Sequence, residues 1–192
     1  MLQEFNFSST NLDDAFITST SGTASVDVAM SGNHNWCNLL TGATQDSVAV
    51  LQLGDTDVTN KLDLPIATFC IKLEDVDEAE FGFFVEANTP FTANQKGAYF
   101  RVSGGELYAV TGDGVDETVT DIGAITTYSQ YKIEFTSTQV RFYTEDLRTL
   151  RATHTTNITA DDMTLKIAST NTTAVARDLR VDGLALMRLR KQ

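Results

Sequence analysis

The chain has little of what staples, breaks or spans a fold. Of its 192 residues only two are cysteine, Cys37 and Cys70, and only two are proline. Two cysteines close at most one bridge, so no disulfide framework is available. Cys70 sits in the polar phase of a run whose other phase is Phe69, Ile71 and Leu73. Free thiols are therefore expected, with a single disulfide as the alternative. A chain of this length buries enough surface to fold without metal or cross-link. No apolar run approaches the roughly 18 residues that span a bilayer, so no membrane role is expected. The opening Met1-Leu-Gln-Glu-Phe-Asn-Phe7 lacks a basic segment followed by an apolar one, so no secretion signal is expected. The sequons headed by Asn6, Asn157 and Asn171 then carry no meaning.

Positive charge is also scarce. Fourteen Lys and Arg stand against 26 Asp and Glu, a formal charge of −12, which argues against nucleic acid as a partner. The imbalance is uneven: residues 177–192 carry +3 and the rest −15. A basic end on an acidic body suits docking to an acidic partner or to another copy, through Arg180, Arg188, Arg190 and Lys191. The alternative is a solvated terminal strand. His34 and His154 are far apart and lack neighbouring Cys or His ligands, which makes zinc improbable. No G-x-S-x-G turn nominates a nucleophilic serine. No segment of ten residues sustains a 3.6 period.

What is present is alternation. Tyr131, Ile133 and Phe135 alternate with Lys132, Glu134 and Thr136; after Ser137-Thr-Gln139 the pattern resumes with Val140 and Phe142. A period of two puts one set on each face of a strand, so 131–144 reads as an antiparallel hairpin around which the chain is organised. Similar runs recur throughout. They include 25–30, 47–53, 67–73, 81–85, 98–102, 106–111, 118–122, 164–169 and 179–189. Gly104-Gly105 is a tight turn, and 157–162 suits one short helical turn. In 179–189 the phase of Leu179, Val181, Ala185, Met187 and Leu189 is taken as the core phase. Leu184 and Leu186 then imply that something covers the outer face. About a dozen short strands and no shift in composition predict one all-β domain, an antiparallel β-sandwich or jelly roll.

The order Gly105-Glu-Leu-Tyr-Ala-Val-Thr-Gly-Asp-Gly114, Tyr131-Lys-Ile-Glu-Phe, Val140-Arg-Phe-Tyr, Arg151-Ala-Thr-His, Leu165-Lys-Ile and Leu179-Arg-Val-Asp-Gly-Leu-Ala-Leu186 resembles the concanavalin A-like (lectin/glucanase, laminin-G-like) jelly-roll superfamily. The resemblance spans most of the chain, and it implies a closing strand that pairs with the N-terminal one. The chain departs from it at Thr144-Glu-Asp146, where the family has an Asp-Gly turn. A Met-started, acidic, threonine-rich domain without secretion signal or attached enzyme also resembles, by type, the decoration and accessory head or tail proteins of tailed bacteriophages. That resemblance implies a virion structural protein made in the host cytoplasm. Its partners would be a major capsid protein and other copies of itself, as a homo-oligomer such as a trimer.

The candidate sites follow the chemistry each would need. Glycanases on this fold require carboxylates at i, i+2 and about i+4 of one strand. The nearest approach is Glu74 to Glu80, read as an acidic turn in which Val76 interrupts the shared phase. Asp113, Asp116 and Glu117 offer oxygens to Ca²⁺, without the regular loop spacing; the alternative is turn formation. Trp36, beside His34 and Asn35, suits stacking on a sugar ring or a place in the core. The leading expectation is thus a non-enzymatic capsid decoration protein with no cofactor. The alternative is a lectin-like carbohydrate-binding module, calcium-dependent or not, with a sugar site of Trp36, Tyr99 and Asp113. A glycan hydrolase or lyase stands third.

Overall fold

The computed structural model describes residues 2–6, 15–31, 34–54, 59, 61–125 and 128–188. Among them, fifteen strands run in chain order: β1 (Leu2–Asn6), β2 (Phe16–Thr20), β3 (Ser25–Ser31), β4 (His34–Leu40), β5 (Val48–Leu53), β6 (Pro65–Asp75), β7 (Glu78–Phe84), β8 (Gly97–Ser103), β9 (Glu106–Gly112), β10 (Glu117–Ala124), β11 (Tyr128–Phe135), β12 (Val140–Thr144), β13 (Thr149–His154), β14 (Thr164–Thr170) and β15 (Asp178–Arg188). A 3-10 turn, Lys61–Asp63, lies between β5 and β6. Residues 157–162, expected to form a helical turn, are irregular.

The strands form two antiparallel sheets. One runs β13-β12-β11-β6-β15-β4-β3, and the other β10-β9-β8-β7-β14-β5-β2. β15 lies along β6 on one side, while its other side is shared. Asp178–Val181 pairs with β4, and Gly183–Met187 pairs with β1. The molecule is therefore an all-β two-sheet sandwich of jelly-roll type. The β11–β12 hairpin, read from sequence as the organising unit, flanks the middle instead; β6 is the central strand of its sheet.

Alternation places the core. Tyr131, Ile133, Phe135, Val140 and Phe142 all turn inward and are at most 3% exposed. Facing sheets interlock through aromatic edges. Phe81 of β7 meets Phe69 of β6 at 5.5 Å and Tyr131 of β11 at 5.0 Å. Phe83 meets Phe135 at 5.4 Å, and Phe100 meets Phe142 at 5.4 Å. Such edge-to-face pairs add specificity to the burial itself. Gly104 and Gly105 both have positive φ (61° and 84°), as a two-residue hairpin turn requires.

β15 departs from the expected phase. Its pairing with β6 shifts between Val181 and Gly183, a bulge that inserts one residue. After it Leu184 and Leu186 point into the core (5% and 1% exposed), while Ala185 and Met187 lie in the outer phase. No covering element is needed to explain the apolar middle. Cys37 faces the core and Cys70 the opposite face, and the two form no disulfide. Burial, with the charge of Asp27, pushes the Cys37 thiol up to about 12.

One buried histidine links the two sheets at their open side. His154 of β13 is 3% exposed, with Nδ1 3.0 Å from Thr111 Oγ1 on β9 and Nε2 2.9 Å from Thr120 Oγ1 on β10. The Thr111 hydroxyl donates to the Thr156 carbonyl, so it accepts from Nδ1–H, and Thr120 donates to Nε2. Burial holds this imidazole below its usual 6.5. Its stabilising contribution is therefore complete above that value and is lost as pH falls from 6.5 through the folded-state value. The urea midpoint should drop between about pH 7 and pH 5, and His154→Gln should flatten that part of the profile. An unchanged slope in the variant would assign the pH dependence to other groups.

Candidate functional site

On β7, Ala79, Phe81 and Phe83 are core residues, so Glu78, Glu80 and Gly82 fall on the outer face. On the neighbouring β8, Ser103, Arg101 and Tyr99 stand opposite them in register. Glu78 and Glu80, assigned from sequence to a solvated turn, thus belong to a strand; only the junction after Asp75 turns. Their outer face carries a cleft of about 250 Å³ lined by Glu78, Glu80, Phe91, Thr92, Arg101 and Glu117, among others.

The cleft is organised by Arg101. Its Nε donates to Glu80 Oε1 at 3.1 Å, and its two terminal nitrogens donate to Glu117 at 3.1 and 3.0 Å. One of these also donates to the Tyr99 hydroxyl at 2.8 Å. Glu117 comes from β10, two strands away. It reaches across because Gly112, its register partner on β9, has no side chain. A Cβ at Gly112 would lie 2.0 Å from the Gln95 carbonyl oxygen, so that position tolerates only glycine.

Residues 85–96 form a strap from β7 to β8 that walls the cleft. Lys166 of β14, 4% exposed, donates to the carbonyls of Glu86 and Asn88 and anchors the near end of the strap. Burial lowers the Lys166 ammonium from its ordinary value. Glu80 anchors the far end, accepting from Phe91 N–H at 2.9 Å and from Gln95 Nε2 at 2.7 Å. Phe91 has φ of 62°, a strained value for a bulky residue.

Glu80 is 1% exposed, and burial raises its carboxyl above the usual range against the three donors and the Arg101 charge. For Glu117, burial is outweighed by the hydrogen bonds from Arg101 and Tyr99, and its carboxyl is lowered. Burial opposes the Arg101 charge as well, but the bonds to Glu117 prevail and the guanidinium is held above its normal value.

The three residues expected to form a sugar site are not together. Trp36 lies on β4, out of phase with the core residues Cys37 and Leu39, on the outer face of the other sheet. Tyr99 is on β8 rather than in a loop; it is fully buried, stacked on Phe84 at 4.6 Å, with its hydroxyl 2.8 Å from Glu117. Burial, then the charge of Glu80, raises its phenol. Asp113 lies in the β9–β10 turn beside another hollow that Lys61, Thr138 and Asn157 also line.

The calcium set does not assemble either. Asp113 Oδ1 accepts from the N–H groups of Val115 and Asp116, which hold its carboxyl below the usual value. Both Glu117 oxygens face Arg101, and among the described residues no group of three His, Cys, Asp or Glu side chains is placed to hold a metal ion. These donors do not fit a calcium ion. Of the basic end, Arg180 Nε pairs with Asp178 Oδ2 at 2.6 Å and Arg188 ends β15, while Arg190 and Lys191 lie outside the described residues. Asn171 is fully buried, donating to the carbonyls of Gly42, Thr173 and Val175. Arg101 carried no signal of its own in the sequence. Glu80 did: extending the Phe81/Phe83 alternation back two residues puts Glu80 and Glu78 on the opposite face.

No protein-family model matches the sequence, and no curated protein matches it. Solved structures do match its fold. A glycoside hydrolase of family 16 from Bacteroides ovatus, in complex with a G4G4G3G product, superposes with a TM-score of 0.71 at 8% identity, over 96% of this chain and 99% of that one. The β-glucanase of Bacillus licheniformis gives 0.67 at 10% identity, over 99% and 98%. The exoplasmic/lumenal domain of VIP36 in its Ca²⁺/Man2-bound form gives 0.64 at 8% identity, over 98% and 88%. The fold is that of the concanavalin A-like lectin/glucanase jelly rolls.

Two expectations are corrected by these matches. The chain was read as no enzyme, yet glycoside hydrolases share its fold, and the carboxylates dismissed as a turn face a cleft from a strand. The description as a bacteriophage virion, capsid or decoration protein finds no support among these structures, which cleave or bind glycans.

Removing Arg101 would leave Glu80 buried beside a second carboxylate. Arg101→Met should cost about 3 kcal/mol of unfolding free energy, and adding Glu80→Gln should restore part of it. Denaturant titration of the four-member cycle measures the coupling. Strictly additive losses would show that the pair does not hold the cleft together.

Proposed function

We propose that this chain is a carbohydrate-recognising, lectin-like module that binds a glycan in the cleft on the outer face of its β7–β8 sheet. The observation that carries the reading is the Arg101-centred cleft itself. Glu78, Thr92, Ser103 and Phe91 border one concave space with Glu80 and Glu117, whose carboxylates Arg101 fixes. Sugar hydroxyls need such rigid acceptors and donors, and the C–H face of a pyranose needs an aromatic partner. The shared fold with glycan-binding and glycan-cleaving proteins supports the same reading. Calorimetric titration with short β-gluco-oligosaccharides should give a saturable heat, and Phe91→Ala should weaken binding by about five- to tenfold. Equal affinity in the variant, with the fold intact by circular dichroism, would remove Phe91 from the site.

Hydrolysis of the bound glycan is a second reading, favoured by one observation. Glu78 and Glu80 stand at i and i+2 of β7, so both carboxyls share one face of the strand, as a paired glycosidase acid and base must. The raised Glu80 carboxyl suits a proton donor. The next outer position is Gly82, where a Cβ would lie 2.5 Å from the Ala98 carbonyl oxygen. Glu117 is accordingly the third carboxylate of this cleft. Release of reducing ends from mixed-linkage glucan, abolished by Glu80→Gln, is the expected result of this reading. Absence of turnover by a binding-competent protein would contradict it.

A further inference from the structure

The charges around the cleft restrict which glycan it accepts. An arginine in a sugar site ordinarily suggests a uronate or sulfate ligand, because its planar fork matches an anion. Here the fork is already filled from within the molecule. Nε is held by Glu80, both terminal nitrogens by Glu117, and one of them also by Tyr99. Two carboxylates answer one guanidinium before any ligand arrives, and Arg101 is only 25% exposed at its side chain.

A third carboxylate lies at the mouth. Glu78 lines the same cleft, and the one described hydrogen bond to its carboxylate is a long one, 3.5 Å from the Ser103 hydroxyl. The charged groups lining the cleft are therefore three acidic and one basic. Nor is Glu80 short of partners: Arg101, the Phe91 amide and Gln95 Nε2 already donate to it from within the molecule. An anionic sugar would add repulsion in this cleft, whereas a cationic one would offset its excess of carboxylates.

Building on the carbohydrate-binding reading above, we infer that the cleft selects glycans carrying free amines, oligomers of amino sugars. Glu78 takes the ammonium group, and the Arg101–Glu80–Glu117 network excludes uronic acids. Glu78 is the specificity-determining residue, because its carboxylate is the one of the three that the arginine does not engage.

The test compares three probes on the full chain by calorimetry: a glucosamine oligomer, a neutral gluco-oligosaccharide and an oligogalacturonate. At about pH 6 the amines are largely protonated. The glucosamine oligomer should bind about tenfold more tightly than the neutral one, with the advantage shrinking in high salt. The oligogalacturonate should give no measurable heat. Glu78→Gln should bring the ratio of the first two affinities close to one, and circular dichroism of that variant checks its fold. If the variant does not fold, loss of the advantage at about pH 9, where the amines are neutral, reads the same interaction in the wild-type chain. Equal binding of the neutral and amino oligomers by the wild-type chain, or tighter binding of the uronate, would overturn this inference and leave the carbohydrate-binding reading standing. No binding of any probe would overturn both.

Discussion

A carboxylate with 1% of its surface exposed persists only if its surroundings supply what water would. Glu80 is that group, and much of the outer face of its sheet is arranged around it. Arg101 answers its charge from the next strand. The strap between β7 and β8 turns its Phe91 amide and the Gln95 side chain toward the same oxygen. The strap in turn shapes the cleft, because Phe91 and Thr92 form part of its wall. The strain at Phe91 is consistent with this role: a bulky residue at positive φ survives where its amide is held by a buried anion.

The jelly roll makes such an arrangement affordable. Its inner faces carry the apolar burden through the Phe69, Phe81, Phe100 and Tyr131 cluster and the Phe83–Phe135 and Phe100–Phe142 pairs. Most of the apolar burial thus lies between the sheets, and the outer face of β7 and β8 can hold charge. Lys166 shows the same division from another side. Its ammonium is withdrawn from water to fix the strap through two carbonyls, a use that needs a rigid sheet beneath it. The same sheet supplies the glycine at 112 that lets a residue two strands away enter the cleft.

Strand periodicity was readable wherever one face is apolar and the other polar, which covers the β11–β12 hairpin and most of both sheets. It failed at β15 because the bulge at Asp182 and Gly183 changes the phase, and a one-residue shift moves every later side chain to the other face. Glu78 and Glu80 were misread for a different reason. A run of acidic residues after a strand looks like a solvated connection, and the partner that makes Glu80 tolerable, Arg101, lies twenty-one residues away. Glu117 was visible only as a loop carboxylate next to Asp116, since its contact with Arg101 depends on strand order. Trp36 and Tyr99 were chosen for residue type. Type does not reveal that one faces away from the cleft and the other is sealed beneath it.

The proposed function turns on whether, and where, a glycan touches the protein. The most direct measurement is an amide chemical-shift map recorded while a β-gluco-oligosaccharide is titrated into the labelled chain. Shifts concentrated at Glu78–Gly82, Phe91–Ala93, Tyr99–Ser103 and Glu117 are the predicted result. Shifts concentrated around Trp36 on the opposite sheet, or none at saturating sugar, would contradict it.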